Sequence, residues 1–291
     1  MFRQEVPVTV EALEISRREE AVRAQKRAWI LPRILCRHCG GSLDAAGVCT
    51  SCGLAHLNED GILDCLPGAR ESAATEFNGA VCSHGYDGDV ERILAAVETT
   101  GGMALDCGAG LRPDVRSHVV TTEIFPYPTT DILAVNERLP FRDSSFDAVL
   151  SLHVLEHVPD PFLCARELCR VLKPGGKLFA VTPMIVPEHG FPQHFFNPTR
   201  QGLARLFGRT PERARIFIPA MGHPINGVWS VIQLYRQSLP EPQRSRFDSM
   251  TIAELLARPI EAWIGEGIAT AMPENTRVAL AANFCIEFVK E

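Results

Sequence analysis

The 291-residue sequence predicts an α/β fold with a parallel sheet, preceded by a small metal-binding module. From about residue 90 the chain alternates strand-like and helix-like apolar patterns, the signature of strand–helix–strand units. The apolar run 103–107 (MALDC) leads into Gly108, Ala109 and Gly110, a turn whose glycines let main chain approach a ligand where a side chain would collide. Ahead of it, Cys36 and Cys39, then Cys49 and Cys52, form two Cys-x-x-Cys pairs nine residues apart.

Composition bounds the rest. With 46% apolar and 22% charged residues, the chain can bury a substantial core. No apolar run approaches the roughly 18–20 residues of a membrane helix. The opening stretch, MFRQEVPVTVEALEISRREE, lacks the apolar region of a secretory signal. A cytoplasmic setting is therefore expected, with the ten cysteines serving as thiols or metal ligands rather than disulfides. The net charge of −6 is uneven: residues 1–40 carry 8 Lys/Arg against 5 Asp/Glu, and the remainder 21 against 30. The acidic body argues against broad nucleic-acid binding. The basic head allows a local contact, or is simply the charged face of a solvated helix.

Taken in order, residues 1–32 form a leader with a helix from Val10 to Trp29, where charges alternate with Leu13, Val22 and Trp29 at helical spacing. Residues 33–66 form the metal module. Two residues between thiolates let a tight turn aim both sulfurs at one ion, and Gly40 and Gly53 can take the positive φ that closes each turn. Cys36, Cys39, Cys49 and Cys52 then complete a tetrahedral zinc site with no open position, a structural zinc. His38 and His56 are expected at its surface or just behind the thiolates. The stretch 54–66 reads as a hairpin turning at Asp60 and Gly61. This region resembles the zinc-ribbon family of short methyltransferase-activating proteins, in which a two-knuckle ribbon runs into an Asp-Gly-Ile segment, here Asp60, Gly61 and Ile62. The zinc module of a bacterial large-subunit ribosomal RNA guanine methyltransferase is a looser match, since it uses a histidine ligand. Residues 67–89, rich in Gly, Ser, Ala and Asp, read as a linker.

Residues 90–291 are expected to form the second domain. A dinucleotide fingerprint needs a small residue at position 113, and Pro113 excludes it. The run 118–123 is a second strand ending in Glu123, placed to accept hydrogen bonds from a ribose diol. Then come Leu139-Pro-Phe141, the strand around Phe146, Asp147 and Ser151, and Leu155-Glu-His157. Asp160 and Pro161 are an N-cap and first-turn pair. The helix that they open ends in Arg170-Val-Leu-Lys-Pro-Gly-Gly176, before a strand from Lys177 to Val181.

This ordered set resembles the class I S-adenosylmethionine-dependent methyltransferases over about residues 100–185. The resemblance implies a Rossmann-like, seven-stranded sheet with S-adenosyl-L-methionine over the carboxyl ends of its first strands. Carried over by position, Asp106, Gly108 and Gly110 would hold the methionine portion and Glu123 the ribose. The usual adenine-binding acid is replaced by Val135, so that Asn136 or main chain alone would hold the adenine. Ser151 to His153 would lie beside the reactive methyl. The loop from Gly110 to Ser117 is too short for the helix expected there, as in a subset of the family acting on glycans or small metabolites.

Methyl transfer needs chiefly alignment, with a general base where the nucleophile is a hydroxyl or acidic carbon. His153 and His194 are the candidates for that role; His157 is expected to be structural and His189 carries no assignment. Phe191, Phe195 and Phe196 either wall an acceptor pocket or belong to the core. A helix over 199–207, a strand over 214–219, a C-terminal helical insertion over 222–272 and a last strand from Val278 to Val289 follow. Trp229, Tyr235 and Trp263 in the insertion would cap the acceptor or meet a protein partner, as would the ribbon. The expected activity is methyl transfer to a small-molecule or glycan acceptor. The alternatives are an RNA methyltransferase gripping RNA through the ribbon, and an inactive binding scaffold.

Overall fold

The computed structural model describes residues 10–66, 85–189, 193–209, 214–219, 222–259 and 261–282. Its centre is a sheet of six parallel strands in the order β1-β4-β3-β2-β5-β6, namely β1 (Leu63–Asp64), β2 (Ala104–Cys107), β3 (Val119–Glu123), β4 (Ile132–Leu133), β5 (Phe146–Leu152) and β6 (Leu172–Val181). This is the Rossmann-like α/β arrangement. β2 and β3 are buried on both faces up to Glu123, which is why they read as continuous apolar runs rather than as alternation.

The edge strand β1 comes from the cysteine module, not from the second half of the chain. Leu63 and Asp64 run parallel to Ile132 and Leu133, and the Cys65 N–H donates to the Leu133 carbonyl over 2.8 Å. A sheet edge that would otherwise expose unpaired main-chain groups is thereby covered. A seventh strand is not seen among the described residues. The first residues of the expected last strand, Val278 and Ala279, end a helix (Glu274–Ala279), and residues 283–291 lie outside the described residues. The stretch 214–219 is irregular rather than a strand.

Helix α1 (Val10–Ile30) docks on the same sheet. Ile30 and Ile34 are buried in one apolar cluster with Leu63, Ile132, Phe141 and Phe146, and the Trp29 ring lies 5.3 Å from that of Phe146. Lys26, one of the charges of the basic head, has a side chain that is only 1% exposed. Its ammonium donates to the Val119 carbonyl over 2.9 Å and to Asp131 over 2.5 Å. A charge of this kind enters a core only when paired, and Asp131 is the partner that the sequence pattern did not show.

Helix α2 (Gly88–Thr99) opens with Asp87 as N-cap, accepting from the Asp89 and Val90 N–H groups. Helix α3 (Pro161–Val171) opens as expected, the Asp160 carboxylate accepting from the Leu163 N–H with Pro161 in the first turn. The recurrent motifs then explain one another. Arg170 donates to the Leu139 and Phe141 carbonyls while pairing with Glu167, and Glu167 accepts from the Leu139 N–H. The helix thus clamps the Leu-Pro-Phe loop. Asp147 accepts from the Met103 N–H at 2.9 Å and pairs with Lys173 at 2.9 Å, joining β5 to β2 and β6. Burial pushes its pKa up, but these hydrogen bonds outweigh that and hold it below its ordinary value.

Beyond β6 the regular elements among the described residues are helices, α4 (Arg200–Leu206) and α5 (Pro224–Ser238) and then short helices to Ala279. Trp263 is buried, whereas Trp229 is exposed beside Ile225, Val228 and Ile232. Among the described residues no helix is long and apolar enough to cross a membrane.

Candidate active site and cysteine cluster

The carboxyl ends of β2, β3 and β5 converge on one edge of the sheet, because parallel strands place all their carboxyl ends together. Gly108 has φ +67° and Gly110 φ +63°, the left-handed region that favours glycine. At Gly108 a Cβ would lie 2.6 Å from a Val154 methyl, so the turn is pressed against the segment after β5. Glu123, at the tip of β3, ties it down: one carboxylate oxygen accepts from the Gly110 N–H and the other from the Ile124 N–H, each over 2.8 Å. Burial pushes the Glu123 pKa up, against the opposing pull of those N–H groups.

Asp106 is fully buried. One of its oxygens accepts from Tyr86 and from Arg112, each over 2.8 Å, and the other has no hydrogen-bond partner among the described residues. The Arg112 guanidinium lies 4.6 Å from the Tyr86 ring centre. Neither Tyr86 nor Arg112 was singled out from the sequence, since an aromatic in a glycine-rich linker and an arginine in a shortened loop carry no local signal. Ser151, beside Cys107 in the β5–β2 register, is buried with its hydroxyl unpartnered among the described residues. Asn136 is buried in the short turn Asn136–Arg138, directly after Val135. The structure therefore gathers Asp106, Gly108, Gly110, Glu123 and Ser151 at the carboxyl end of the sheet, with one Asp106 oxygen and the Ser151 hydroxyl unpartnered among the described residues.

The four cysteines also converge. Their Sγ atoms lie within 4.8 Å of one another, with Cys36 to Cys52 at 3.6 Å and Cys39 to Cys49 at 3.5 Å. Four sulfurs about 2.3 Å from a tetrahedral ion would stand about 3.8 Å apart, so the cluster is compatible with zinc. Gly40 and Gly53 close the two turns at φ +72° and +73°. Behind them His56 is buried, its Nε2 3.3 Å from Cys36 Sγ and its Nδ1 3.1 Å from the Asp64 carbonyl. Cys65 lies outside the set, its thiol pushed up to about 12 by burial. Cys107 and Cys164 are buried, whereas Cys169 is exposed. Cys82 and Cys285 lie outside the described residues.

Of the candidate bases, His153 follows β5 at φ +58° with its side chain 58% exposed. Both ring nitrogens of His194 are engaged: Nδ1 accepts from the His189 N–H and Nε2 pairs with Asn197. Phe195 and Phe196 are partly exposed, and Phe191 lies outside the described residues.

Comparison with known proteins gives a likeness over part of the chain. Residues 103–180 match a family model described as a methyltransferase domain. That segment is similar to methyltransferase domains. An uncharacterized methyltransferase of Mycobacteroides abscessus is 33% identical over 127 residues, 41% of this chain and 46% of that one. A ubiquinone biosynthesis O-methyltransferase of Xanthomonas oryzae is 47% identical over 51 residues, 18% of this chain and 21% of that one. The chain thus spans less than half the length of these relatives. Among solved structures, a 1,6-didemethyltoxoflavin-N1-methyltransferase of Burkholderia thailandensis with bound S-adenosylhomocysteine is 19% identical, covering 42% of this chain and 64% of that one with a TM-score of 0.30. The matched segment contains the glycine turn, Glu123, the β5 segment and the Lys-Pro-Gly-Gly run at the start of β6.

Proposed function

We propose that this protein is a cytoplasmic methyltransferase that binds S-adenosyl-L-methionine at the β2–β3–β5 edge and methylates a small molecule or glycan. The observation that carries this is the turn Gly108–Gly110, seated on Val154 and braced by Glu123 at the carboxyl end of a parallel sheet. When bound, the cofactor supplies a methyl already activated on a sulfonium. The chain's task is then to align groups rather than to create reactivity. The Glu123 carboxylate, held by the Gly110 and Ile124 N–H groups, has lone-pair capacity left for a ribose hydroxyl. Among the described residues Asp106 and Ser151 offer unpartnered polar atoms beside the turn, and Asn136 directly follows Val135, which replaces the adenine-binding acid. His153, exposed beside this edge, is the better placed of the two histidines to take a proton from a hydroxyl acceptor.

The acidic body of the chain and the short loop after Gly110 support a small-molecule or glycan acceptor. In this reading, Cys36, Cys39, Cys49 and Cys52 hold one structural zinc, and residues 1–32, 33–66, 67–89 and 90–291 form leader, ribbon, linker and methyltransferase domain. Calorimetry with S-adenosylhomocysteine tests the reading directly. Wild type should bind it and Glu123→Ala should bind far more weakly; no binding by wild type would overturn the proposal. Strongly salt-dependent RNA binding would favour RNA as acceptor instead.

A further inference from the structure

The segment after β5 and the segment after β6 meet in a histidine cluster around a buried carboxylate. Glu156 is 0% exposed, and neither of its carboxylate oxygens has a hydrogen-bond partner among the described residues. A carboxylate stripped of water and given no donor is costly, so this one calls for a counter-charge. The rings nearest to it are histidines. His153 Nδ1 lies 3.6 Å from Oε1 and His157 Nε2 4.0 Å from the same oxygen. The His157 ring is packed 4.9 Å from His189 and 5.6 Å from His194, and those two are 4.5 Å apart.

The hydrogen bonds settle which nitrogens are free. His157 Nδ1 lies 2.6 Å from the Gln193 carbonyl and His189 Nδ1 3.0 Å from the Pro187 carbonyl. A carbonyl only accepts, so both Nδ1 atoms carry the proton and both Nε2 atoms present a lone pair. This is how metal-ligating histidines are commonly oriented, the second nitrogen donating to main chain. His194 differs, because Nδ1 accepts the His189 N–H and Nε2 donates to Asn197. It braces the cluster and cannot ligate without breaking a bond. One carboxylate oxygen of Glu156 and one ring nitrogen each of His157 and His189 lie within 4.8 Å of one another.

We propose that Glu156, His157 and His189 bind a divalent transition-metal ion, separate from the four-cysteine cluster. Two imidazoles and one carboxylate suit zinc, iron(II) or manganese(II) rather than magnesium or calcium. Ligand atoms around a tetrahedral ion stand about 3.4 Å apart, so closure requires a shift of about 1 Å, which the exposed His189 ring can make. Three protein ligands leave coordination positions open, unlike the four-thiolate set. The cluster begins five residues beyond Ser151 and two beyond Val154, on which Gly108 rests. On the methyltransferase reading, the open positions would hold an oxygen or nitrogen of the acceptor beside the cofactor edge.

Manganese(II) separates the two sites, because it favours nitrogen and oxygen over thiolate ligands. The full chain, with its cysteine cluster loaded, is titrated with Mn2+ alone and free ion is read by electron paramagnetic resonance. Wild type should take up one equivalent. Glu156→Gln and His189→Ala should each weaken uptake about 10-fold or more, while His194→Ala should have a smaller effect. His189 is exposed, so its replacement tests the site even where Glu156→Gln does not fold. No uptake by wild type, or unchanged uptake by His189→Ala, would overturn the proposal. Since uptake is read without cofactor or acceptor, failure of the methyltransferase reading shows separately, as absent S-adenosylhomocysteine binding.

Discussion

Replacing Lys26 by Met keeps most of the side chain's length and apolar stem while deleting its charge. In the native chain the ammonium is 1% and the Asp131 carboxylate 7% exposed. After the change Asp131 keeps its bonds from the Thr121 N–H at 2.9 Å and the Thr121 hydroxyl at 3.1 Å, but its charge is uncompensated. The Val119 carbonyl also loses a donor. Removing one partner of a buried pair costs about 3–5 kcal/mol, a large share of the about 5–15 kcal/mol by which a domain is stable. Lys26→Met should therefore shift the urea midpoint strongly. The double variant Lys26→Met, Asp131→Asn should recover most of the loss, because replacing both charges removes the unpaired one. The assay is urea unfolding followed by tryptophan fluorescence and circular dichroism together. A loss below about 1 kcal/mol, the level of an exposed pair, with no recovery in the double variant, would refute the docking of α1 on the sheet.

The remaining predictions concern the two candidate sites. Because burial raises the Glu123 pKa, its carboxylate is lost at a higher pH than that of an exposed glutamate. S-adenosylhomocysteine affinity should fall as pH drops through that raised value, whereas Glu123→Gln should bind about 10-fold more weakly and show a flatter profile by calorimetry, charge-assisted bonds being worth about 1.5–3 kcal/mol. Gly108→Ala forces a Cβ into the left-handed region and against Val154. It should cost about 1–2 kcal/mol from backbone strain alone and weaken cofactor binding, with Val154→Ala relieving only the clash. Metal analysis should find about one tightly held zinc per chain in the cysteine cluster. Cys39→Ser should lose that zinc and lower the unfolding midpoint; full zinc and unchanged stability would remove the assignment.

What could be read from the sequence was local. Two cysteine pairs with a glycine after each, or an apolar strand running into Gly108, place their chemistry within a few residues. Covalent spacing alone then fixes how the groups can be presented, and in the structure the four Sγ atoms cluster and Gly108 takes its positive φ. The Asp160–Pro161 helix start was legible for the same reason. Of the expected strand from Val278 to Val289, Val278 and Ala279 close a helix instead, a short apolar run having no fixed period, and residues 283–291 lie outside the described residues.

Tertiary structure decided everything that depends on distant segments meeting. Lys26 reads as one charge among many on a basic helix until Asp131, 105 residues away, is packed opposite it. Leu63 and Asp64 read as the end of a hairpin until Ile132 and Leu133 offer a free edge. Arg112 and Tyr86 gain meaning only over Asp106. Glu156 and His157 come within ligand reach of His189 because β5 and β6 are neighbours whose following loops share one end of the sheet. The sequence by itself determined the turns and knuckles, whose geometry is set by bonds between near neighbours. The fold determined which buried charges are paired, since that depends on packing across the sheet.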